Sequence, residues 1–495
     1  MICVSIGRGR HRHMIAEYRH LAEQGAKLVE LRLDYISGDV DVRRLIADRP
    51  CAVVIACRRP ADGGKWTGSE QQRQLLLRTA IAEGADYVDL EDDIAAGIPR
   101  FGASKRIVSF HDFRKTPDNL DEIHRRLSQC DPDIVKISTM VNHTSDNVRI
   151  LDMVRKAKVP TIGLGMGDIG VPTRILAGKF GAAHTYATFQ AERALAPGQL
   201  SFEHMTQVYR YDQINAETEV YGVVADPIGH SLSPFVHNAA FAHLGLNKVY
   251  VPFRVPREDL GQFMDDAEFL NIRGLSVTIP HKEEVIKKLS EVDAAVNGIG
   301  AANTVVLNGS HRAGHNTDYH AAMSSLEEAM GLSSAGEKPL TGKTALVMGC
   351  GGAGMAITYG LIRRGAHVLV SDIAPRKAEA LAMRFKCLAV DWADRHKVNP
   401  DILVNSTPVG MHPNVDETPY EKHHLRPSMV VFDVVYNPEN TLLIKDARSR
   451  NCTVVTGIEM FVRQACLQFK FFTGQDGPAD LMRDVIRGAI GAVKL

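Results

Sequence analysis

The feature that most constrains the fold is a series of eight short apolar runs in the first half of the chain. The segments between them show helical periodicity, as in HMIAEYRHLAEQGA and GSEQQRQLLLRTAIAEGA. Strands that alternate with helices predict parallel βαβ units, and eight such units predict a (β/α)8 barrel rather than a doubly wound sheet. The runs are CVSIG (3–7), LVELRLDY (28–35), AVVIACR (52–58), YVDLED (87–92), RIVSFHD (106–112), IVKISTM (134–140), TIGLGMG (161–167) and AAHTYATF (182–189).

Polar residues occur in or just after most of these runs, where a barrel of this type places its reacting groups. A single such residue is more often a solvated charge at the rim, but seven in register around one mouth favour an active site. The seven are Glu30, Arg32, Arg58, Glu91, His111, Lys136 and Arg174.

Lys136 is the most informative of the seven, because strand-forming residues surround it and a buried ammonium group is costly unless it is compensated. We expect burial and neighbouring Arg and His charges to favour the neutral amine, which can attack a ketone to form a Schiff base. His111, if it keeps an ordinary pKa of about 6.5, suits the following proton transfers, and Glu91 could orient its ring. The alternative is a structural lysine paired with Glu30 or Glu91.

The pieces ELRLDY, DGG, VDLE, SFHDFRKTP, DIVKI, TRILAGKFG and APGQ carry a resemblance to the type I 3-dehydroquinate dehydratase family, from about residue 1 to 212. The resemblance implies that Lys136 forms the Schiff base, His111 transfers protons and Glu91 orients His111. Leu195 departs from the serine that the family often has there, which removes one substrate hydrogen bond. The substrate pocket that the resemblance implies contains Glu30, Arg32, Arg58, Met166, Arg174, Phe189 and Gln199.

In the second half, TALVMGCGGAGMAITYGLIRRG predicts a buried strand, a glycine loop and a helix, the context that a dinucleotide-binding fingerprint requires. The loop contributes Gly349, Gly351, Gly352 and Gly354. An ordinary glycine-rich turn is the alternative. The next strand, HVLVSD, and the later runs DILVNSTP, MVVFDVVY and CTVVTG complete a predicted Rossmann-type sheet.

The pieces HSLSP, SVTIPHKE, GAANTV, HNTD, NSTPVGM, VVYNPENT and EMFVRQA resemble the shikimate dehydrogenase family, from about residue 218 to the C-terminus. The resemblance implies that Lys282 is catalytic with Asp318 as its partner; a surface ion pair is the alternative. Such an ammonium group stabilises the charge that grows on a carbonyl oxygen as hydride arrives. The implied substrate-binding residues are Ser231, Ser233, Thr278, Asn303, Tyr436 and Gln464, where Ser231 or Ser233 could instead be only a helix cap. The implied cofactor-binding residues are Gly349, Gly351, Gly352, Ala353, Gly354, Asp372, Arg376 and Thr407.

The cofactor depends on the end of the second Rossmann strand, where NADP-dependent members have Asn-Arg-Thr and this chain has Ser371, Asp372 and Ile373. An acidic side chain there binds the ribose 2′-hydroxyl of NAD and repels a 2′-phosphate. Arg376 and Lys377, one turn later, could still bind that phosphate. We therefore expect NAD or NADP, with NAD slightly favoured, and no metal.

Length, charge and cysteine usage limit the number of domains, the possible partners and the cellular compartment. The 495 residues predict several domains, and the zero formal net charge argues against nucleic-acid or membrane-surface partners. There is no run of 18 apolar residues, no signal-peptide pattern and no C-x-x-C pair, so we expect a cytoplasmic protein with reduced thiols. The expected α/β domains are the barrel (1–215), a substrate-binding domain (216–335, completed by a helix in 475–495) and a Rossmann domain (336–474).

The two resemblances together imply a bifunctional shikimate-pathway enzyme. It would dehydrate 3-dehydroquinate to 3-dehydroshikimate and then reduce that product to shikimate, with small molecules as its only expected partners and its oligomeric state open. One alternative is a quinate or shikimate dehydrogenase that runs in the catabolic direction. Another is a ligand-sensing regulator without activity, which the presence of every implied catalytic group disfavours.

Overall fold

The structure is a computed structural model that describes residues 1–229, 231–332 and 338–492. It divides into two compact units, one formed by Met1–Val220 with Asn247–Asn271 and the other by Tyr221–Leu246 with Ile272–Leu495. The predicted boundary between residues 335 and 336 lies outside the described residues, as do the last three residues of the predicted segment 475–495.

Eight parallel strands of the first unit form one sheet in the order β7-β6-β5-β4-β3-β2-β1-β8. Because β8 pairs with β1, the sheet curls into a nearly closed barrel, and the predicted fold of the first half is confirmed. The strands are β1 (Ile2–Ile6), β2 (Leu28–Arg32), β3 (Ala52–Ala56), β4 (Tyr87–Glu91), β5 (Lys105–Asp112), β6 (Ile134–Met140), β7 (Thr161–Met166) and β8 (Thr185–Thr188).

The helices between these strands start where the sequence supplies local signals. For example, Ser69 and Gln72 form a reciprocal capping box before the third helix, with the Gln72 backbone N–H donating to Ser69 Oγ at 3.2 Å. The helices are α1 (His11–Glu23), α2 (Val42–Ile46), α3 (Glu70–Ala82), α4 (Asp92–Ala95), α5 (Leu120–Ser128), α6 (Thr144–Lys156) and α7 (Val171–Leu176).

Further strands and helices follow along the chain. Two of them, the strand Lys248–Arg254 and the helix Leu260–Asp266, belong to the first unit. In the second unit β13 pairs antiparallel with β11 and with β14, and β12 runs parallel to β14. The elements are β9 (Glu219–Ala225), α8 (Ser233–His243), β10 (Lys248–Arg254), α9 (Leu260–Asp266), β11 (Ile272–Val277), β12 (Glu291–Val292), α10 (Ala294–Ile299), β13 (Thr304–Asn308), β14 (His311–His315) and α11 (Thr317–Ala329).

The last six strands form an all-parallel sheet in the order β17-β16-β15-β18-β19-β20, so the predicted Rossmann-type sheet is confirmed. The final helix packs against α8 and against the helix that precedes it. The elements are β15 (Thr344–Met348), α12 (Gly352–Arg363), β16 (His367–Ser371), α13 (Pro375–Phe385), β17 (Leu388–Ala389), β18 (Ile402–Asn405), β19 (Val430–Asp433), α14 (Leu442–Ser449), β20 (Thr453–Val455), α15 (Gly457–Thr473) and α16 (Ala479–Ala492).

Across the described ranges, no helix is both long enough and apolar enough to cross a membrane. All eight cysteines are free thiols.

Candidate active sites

Lys136 lies in the middle of β6 and is 4% exposed. Its Nζ is 3.4 Å from Glu30 Oε1 on β2 and 3.2 Å from Asp89 Oδ2 on β4. The charged groups in contact with the amine are therefore carboxylates, whereas the sequence led us to expect cations. The pairing with Glu30 that we considered as a structural alternative is present, and it occurs inside a pocket.

Asp89 is a site residue that the sequence analysis missed. Its Oδ1 accepts a hydrogen bond of 2.6 Å from Ser109 Oγ, and its Oδ2 accepts one from Arg58. Burial by itself raises the pKa of Asp89. The nearby charges of Arg58 and Lys136 outweigh burial, so the pKa lies well below its usual range. The signal was available in the sequence, because Asp89 and Glu91 are two residues apart on β4 and so share one face of the strand.

His111, at the end of β5, has its Nδ1 3.5 Å from Arg58 Nη1. Burial, together with the charges of Arg58 and Lys136, lowers the pKa of His111 well below its usual range. The expectation of an ordinary pKa is therefore wrong, because it left out the loss of solvation and the adjacent cations. The imidazole is neutral near pH 7 and can accept a proton.

Glu91 contacts two arginines, with Oε1 3.4 Å from Arg58 Nη1 and Oε2 2.7 Å from Arg73 Nη1. Burial raises the pKa of Glu91 despite both positive charges. Since Arg58 lies between Glu91 and His111, an effect of Glu91 on the orientation of His111 would pass through Arg58.

Arg174, on α7, is 1% exposed and donates to the Pro197 carbonyl at 3.3 Å, while its buried Nε has no partner. Burial without a carboxylate nearby lowers the pKa of Arg174 to about 10. Gln199 Oε1 accepts from the backbone N–H groups of Leu195 and Ala196 at 2.8 and 3.2 Å, which holds the side-chain amide in place.

One pocket at the mouth of the barrel brings most of the predicted residues together. Phe189 and Glu91 do not line it: the Phe189 ring packs edge-on against His20, and Glu91 lies behind Arg58. The predicted residues that line the pocket are Glu30, Arg32, Arg58, His111, Lys136, Met166, Arg174 and Gln199. Residues that the sequence analysis did not single out also line it, among them Ser5, Asp62, Phe113, Ser138 and Tyr186.

The second predicted lysine, Lys282, donates to Asp318 Oδ2 at 2.6 Å. Asp318 lies in the first turn of α11, and the two side chains are 16% and 11% exposed. A Cβ atom on Gly352 would lie 3.2 Å from Lys282 Cδ, so the lysine side chain runs along the start of α12. The Lys282–Asp318 pair is therefore partly buried beside the glycine loop rather than on the surface.

The predicted substrate-binding residues of this half occupy several elements. Asn303 is buried, with its Nδ2 donating to Thr317 Oγ1 at 2.9 Å and its Oδ1 accepting from the Thr317 backbone at 2.8 Å. Ser231 Oγ accepts from the Ser233 backbone N–H at 3.4 Å just before α8, but the N-cap residue of that helix is Leu232, which makes no side-chain capping bond. The other predicted positions are Thr278 directly after β11, Tyr436 packed edge-on against Phe461, and Gln464 on α15.

The glycine loop between β15 and α12 has no room for side chains at two of its positions. Gly349 has φ of +93°, and a Cβ there would lie 2.8 Å from the Ser406 carbonyl. A Cβ on Gly354 would lie 2.0 Å from the Gly349 oxygen, whereas one on Gly351 would meet no atom within 4 Å. The loop is therefore tightly packed on one side and open at the N-terminus of α12, which fits a bound pyrophosphate.

Asp372, just after β16, accepts backbone hydrogen bonds of 2.8 Å at both oxygens, from Cys350 in the glycine loop and from Ala374. The carboxylate is thus held beside the loop. Arg376 is exposed in the first turn of α13, and Ala353 lies in the first turn of α12. Thr407 Oγ1 donates to Asn405 Oδ1 at 2.6 Å, which holds the loop after β18.

Comparison with known proteins matches both halves of the chain to enzyme families. Residues 2–216 match the family model of type I 3-dehydroquinase, and residues 223–305 match that of the shikimate dehydrogenase substrate-binding domain. Residues 457–487 match the shikimate 5′-dehydrogenase C-terminal domain. The chain is similar to a chloroplastic bifunctional 3-dehydroquinate dehydratase/shikimate dehydrogenase from Arabidopsis thaliana, with 37% identity over 97% of this chain and 83% of that protein.

Two solved structures resemble the second half. The first is a shikimate dehydrogenase in complex with NADP⁺, which is 36% identical to this chain and has a TM-score of 0.52. The match covers 56% of this chain and 97% of that one. A quinate dehydrogenase from Corynebacterium glutamicum in complex with NAD shares 30% identity with a TM-score of 0.50, covering 55% of this chain and 100% of that one.

The fold and its two sites define a polypeptide that carries two enzymes, a (β/α)8 barrel with a buried lysine and a dinucleotide-binding dehydrogenase. The chain belongs to the family of bifunctional 3-dehydroquinate dehydratase/shikimate dehydrogenases, whose reactions are part of the shikimate pathway.

Proposed function

We propose that the barrel dehydrates 3-dehydroquinate through a Schiff base on Lys136. The observation that carries the proposal is a buried amine in a pocket that also holds a neutral histidine and an arginine with an unpaired Nε. A substrate carboxylate would give the Arg174 guanidinium the counter-charge that the described residues do not provide.

Imine formation requires the neutral amine, so Lys136 must first lose a proton, and Glu30 Oε1 at 3.4 Å is positioned to accept it. The amine adds to the substrate ketone and the ketone oxygen leaves as water. The protonated imine withdraws electrons and acidifies the adjacent C–H group. The neutral imidazole of His111 removes that proton and then returns it to the departing β-hydroxyl, which leaves as water. Water then hydrolyses the product imine, which breaks the bond to Lys136, regenerates its amine and releases 3-dehydroshikimate.

Borohydride trapping tests this assignment. With 3-dehydroquinate present, reduction should inactivate the dehydratase and add substrate mass to the peptide that contains Lys136. Lys136→Ala should abolish the added mass, while Lys105→Ala, at an exposed lysine on β5, is the matched control. Labelling of any other lysine would refute the assignment.

We propose that the second half reduces 3-dehydroshikimate to shikimate, with Lys282 and Asp318 at the reacting carbonyl. A bound nicotinamide cofactor supplies the hydride. Lys282 stabilises the negative charge that develops on the substrate oxygen and donates a proton to it, while Asp318, 2.6 Å away, keeps the amine charged and oriented. The test of this proposal is a coupled assay in which the purified chain, supplied with 3-dehydroquinate and reduced cofactor, should yield shikimate. Formation of 3-dehydroshikimate without shikimate would contradict the proposed reduction.

We further propose that the reductase uses NAD(H) at least as well as NADP(H). The proposal is supported by Asp372, which is held beside the glycine loop, and by the likeness to an NAD-bound quinate dehydrogenase. Two observations favour NADP(H) instead: the chain is similar to an NADP⁺-bound shikimate dehydrogenase, and Arg376 is exposed. The test is to measure kcat/KM for both cofactors in the wild type, in Asp372→Asn and in Arg376→Ala. A wild-type preference for NADPH above tenfold would refute the proposal.

A second candidate substrate is quinate, which the likeness to quinate dehydrogenase favours. In that case the second half would oxidise quinate or shikimate in the catabolic direction. Oxidation rates with quinate and with shikimate at equal concentration separate the two substrates.

We also propose the domain limits given above, 1–215, 216–335 with 475–495, and 336–474, together with a cytoplasmic location. The change of unit at Val220/Tyr221 supports the first limit, and the packing of α16 against α8 supports adding 475–495 to the second domain, whereas Asn247–Asn271 groups with the barrel unit. Eight free cysteines support a reducing compartment. Limited proteolysis with mass spectrometry of the fragments tests the limits, and cell fractionation tests the location.

A further inference from the structure

The environment of Lys136 includes an aromatic ring that the proposed mechanism does not use. Tyr186, on β8, is 2% exposed and lines the same pocket. The Lys136 nitrogen lies 3.8 Å from the centroid of the Tyr186 ring. The amine therefore has carboxylates at 3.2 and 3.4 Å and an aromatic face at close range.

An aromatic face differs from a carboxylate in a way that matters for an imine. The ring quadrupole attracts a cation, most strongly where water is excluded, but the ring cannot accept a proton from it. Both carboxylates can stabilise the ammonium group, and Glu30 can also take its proton. The ring stabilises positive charge on the nitrogen whether the nitrogen is an ammonium ion or a protonated imine.

We propose that Tyr186 is a further catalytic residue of the dehydratase, whose ring contacts the reacting nitrogen and stabilises its positive charge in the protonated imine. The inference rests on the proposed Schiff-base function of Lys136. The imine withdraws electrons from the adjacent carbon effectively only when its nitrogen is protonated, so the ring supports catalysis by raising the fraction of the imine that is protonated before His111 removes the C–H proton.

The variants Tyr186→Phe and Tyr186→Leu separate the ring from the hydroxyl. Phe keeps the aromatic face, and we expect kcat within about threefold of wild type, because a desolvated cation–π contact resides in the ring. Leu removes the face, and we expect kcat to fall by about 10- to 30-fold, which corresponds to the strength of a buried contact. The fall should be in kcat more than in KM, since the ring acts on the covalent intermediate.

A readout other than turnover is the rate at which borohydride traps Lys136 in the presence of 3-dehydroquinate. Tyr186→Leu should slow trapping by a factor similar to the loss in kcat. Tyr211→Leu, at another buried tyrosine of the same unit, controls for the loss of a buried ring and should trap at the wild-type rate.

If Tyr186→Leu does not fold, a graded series keeps the test open. Phenylalanine, monofluorophenylalanine and trifluorophenylalanine at position 186 keep the shape of the ring and weaken its negative face step by step. Kcat and trapping rate should fall along the series; equal rates across it would overturn the inference. Failure of the wild type to trap any imine would instead refute the proposed Schiff-base function, so the two failures are distinguishable.

Discussion

Lys136 and Lys282 are the proposed catalytic lysines of the two halves, and their surroundings differ. Lys136 is inside a barrel among two carboxylates and an aromatic ring, with Arg58 bound to one of those carboxylates. Lys282 is at the edge of a loop with one carboxylate partner, Asp318. An amine that bonds covalently to a substrate benefits from surroundings that support more than one charge state. An amine that only donates a proton needs one partner that keeps it charged.

The two halves also show opposite consequences of burying a carboxyl group. In the barrel, burial raises the pKa of Asp89, but Arg58 and Lys136 hold it well below its usual range. In the Rossmann sheet, burial raises the pKa of Asp433 to about 6, because its hydrogen-bond partners Thr441, Val435 and Asn405 are uncharged. Neighbouring cations therefore account for the opposite shifts at Asp89 and Asp433, whereas at Glu91 burial outweighs two arginines.

The largest expected effect is that of Lys136→Ala. Because this change removes the covalent route, we expect dehydration to fall by at least about 10⁴-fold, the upper end of what a single acid–base group contributes. Shikimate formation from added 3-dehydroshikimate should stay near the wild-type rate. Separate assays of each reaction on the same preparation check this, and loss of both activities in a folded protein would contradict the assignment of one lysine to each half.

Lys282→Ala is the reciprocal change, with a smaller expected effect of about 10²- to 10⁴-fold on reduction. Hydride transfer remains possible without the ammonium group, but charge on the substrate oxygen is then uncompensated. Dehydration should be unaffected. A change of less than tenfold in kcat for reduction would show that Lys282 is not the proton donor.

Asp89→Asn and Asp318→Asn compare the stabilities of the two sites. Asp89 is 1% exposed and makes the closer ion pair with both Arg58 and Lys136, so its loss leaves these buried cations with only Glu91 and Glu30 at 3.4 Å and should cost about 3 kcal/mol in free energy of unfolding. Asp318 pairs with a lysine that is 16% exposed, and we expect a smaller cost, about 1 kcal/mol. Urea denaturation of both variants measures the difference; equal costs would contradict the distinction drawn between the lysines.

The last comparison is a dependence of stability on pH that has opposite sign at Asp433 and at Asp89. Asp433 has a raised pKa of about 6, so its ionisation destabilises the folded state as pH rises from about 4 to above 6. Asp89 has a lowered pKa, so the stability it provides is present above the ordinary aspartate pKa of about 3.9 and is lost as pH falls below it.

Asp433→Asn should therefore gain stability relative to wild type between pH 4 and pH 7, by up to about 3 kcal/mol. The measurement is the free energy of unfolding of both proteins at several pH values. A stability difference independent of pH would mean that the pKa of Asp433 is not raised in the folded protein.

The sequence by itself determined the elements and the chemistry they carry. Residues 134–140 were predicted as a strand with Lys136 in its interior, and β6 spans Ile134–Met140. The glycine loop was equally predictable, since Gly349 and Gly354 are in positions where a Cβ would collide with the backbone. Such signals are local: strand-forming residues, apolar periodicity and tight turns act over a few neighbouring residues.

Only the tertiary structure decided which charges meet. Three contacts join residues that are well separated in the sequence: Lys136 with Asp89, Glu91 with Arg58 and Arg73, and the Tyr186 ring with the amine. The pKa of His111 follows from the same neighbours and from its burial. These quantities depend on distances between segments that are far apart in the chain, and on how much water the barrel excludes, so a local pattern does not contain them.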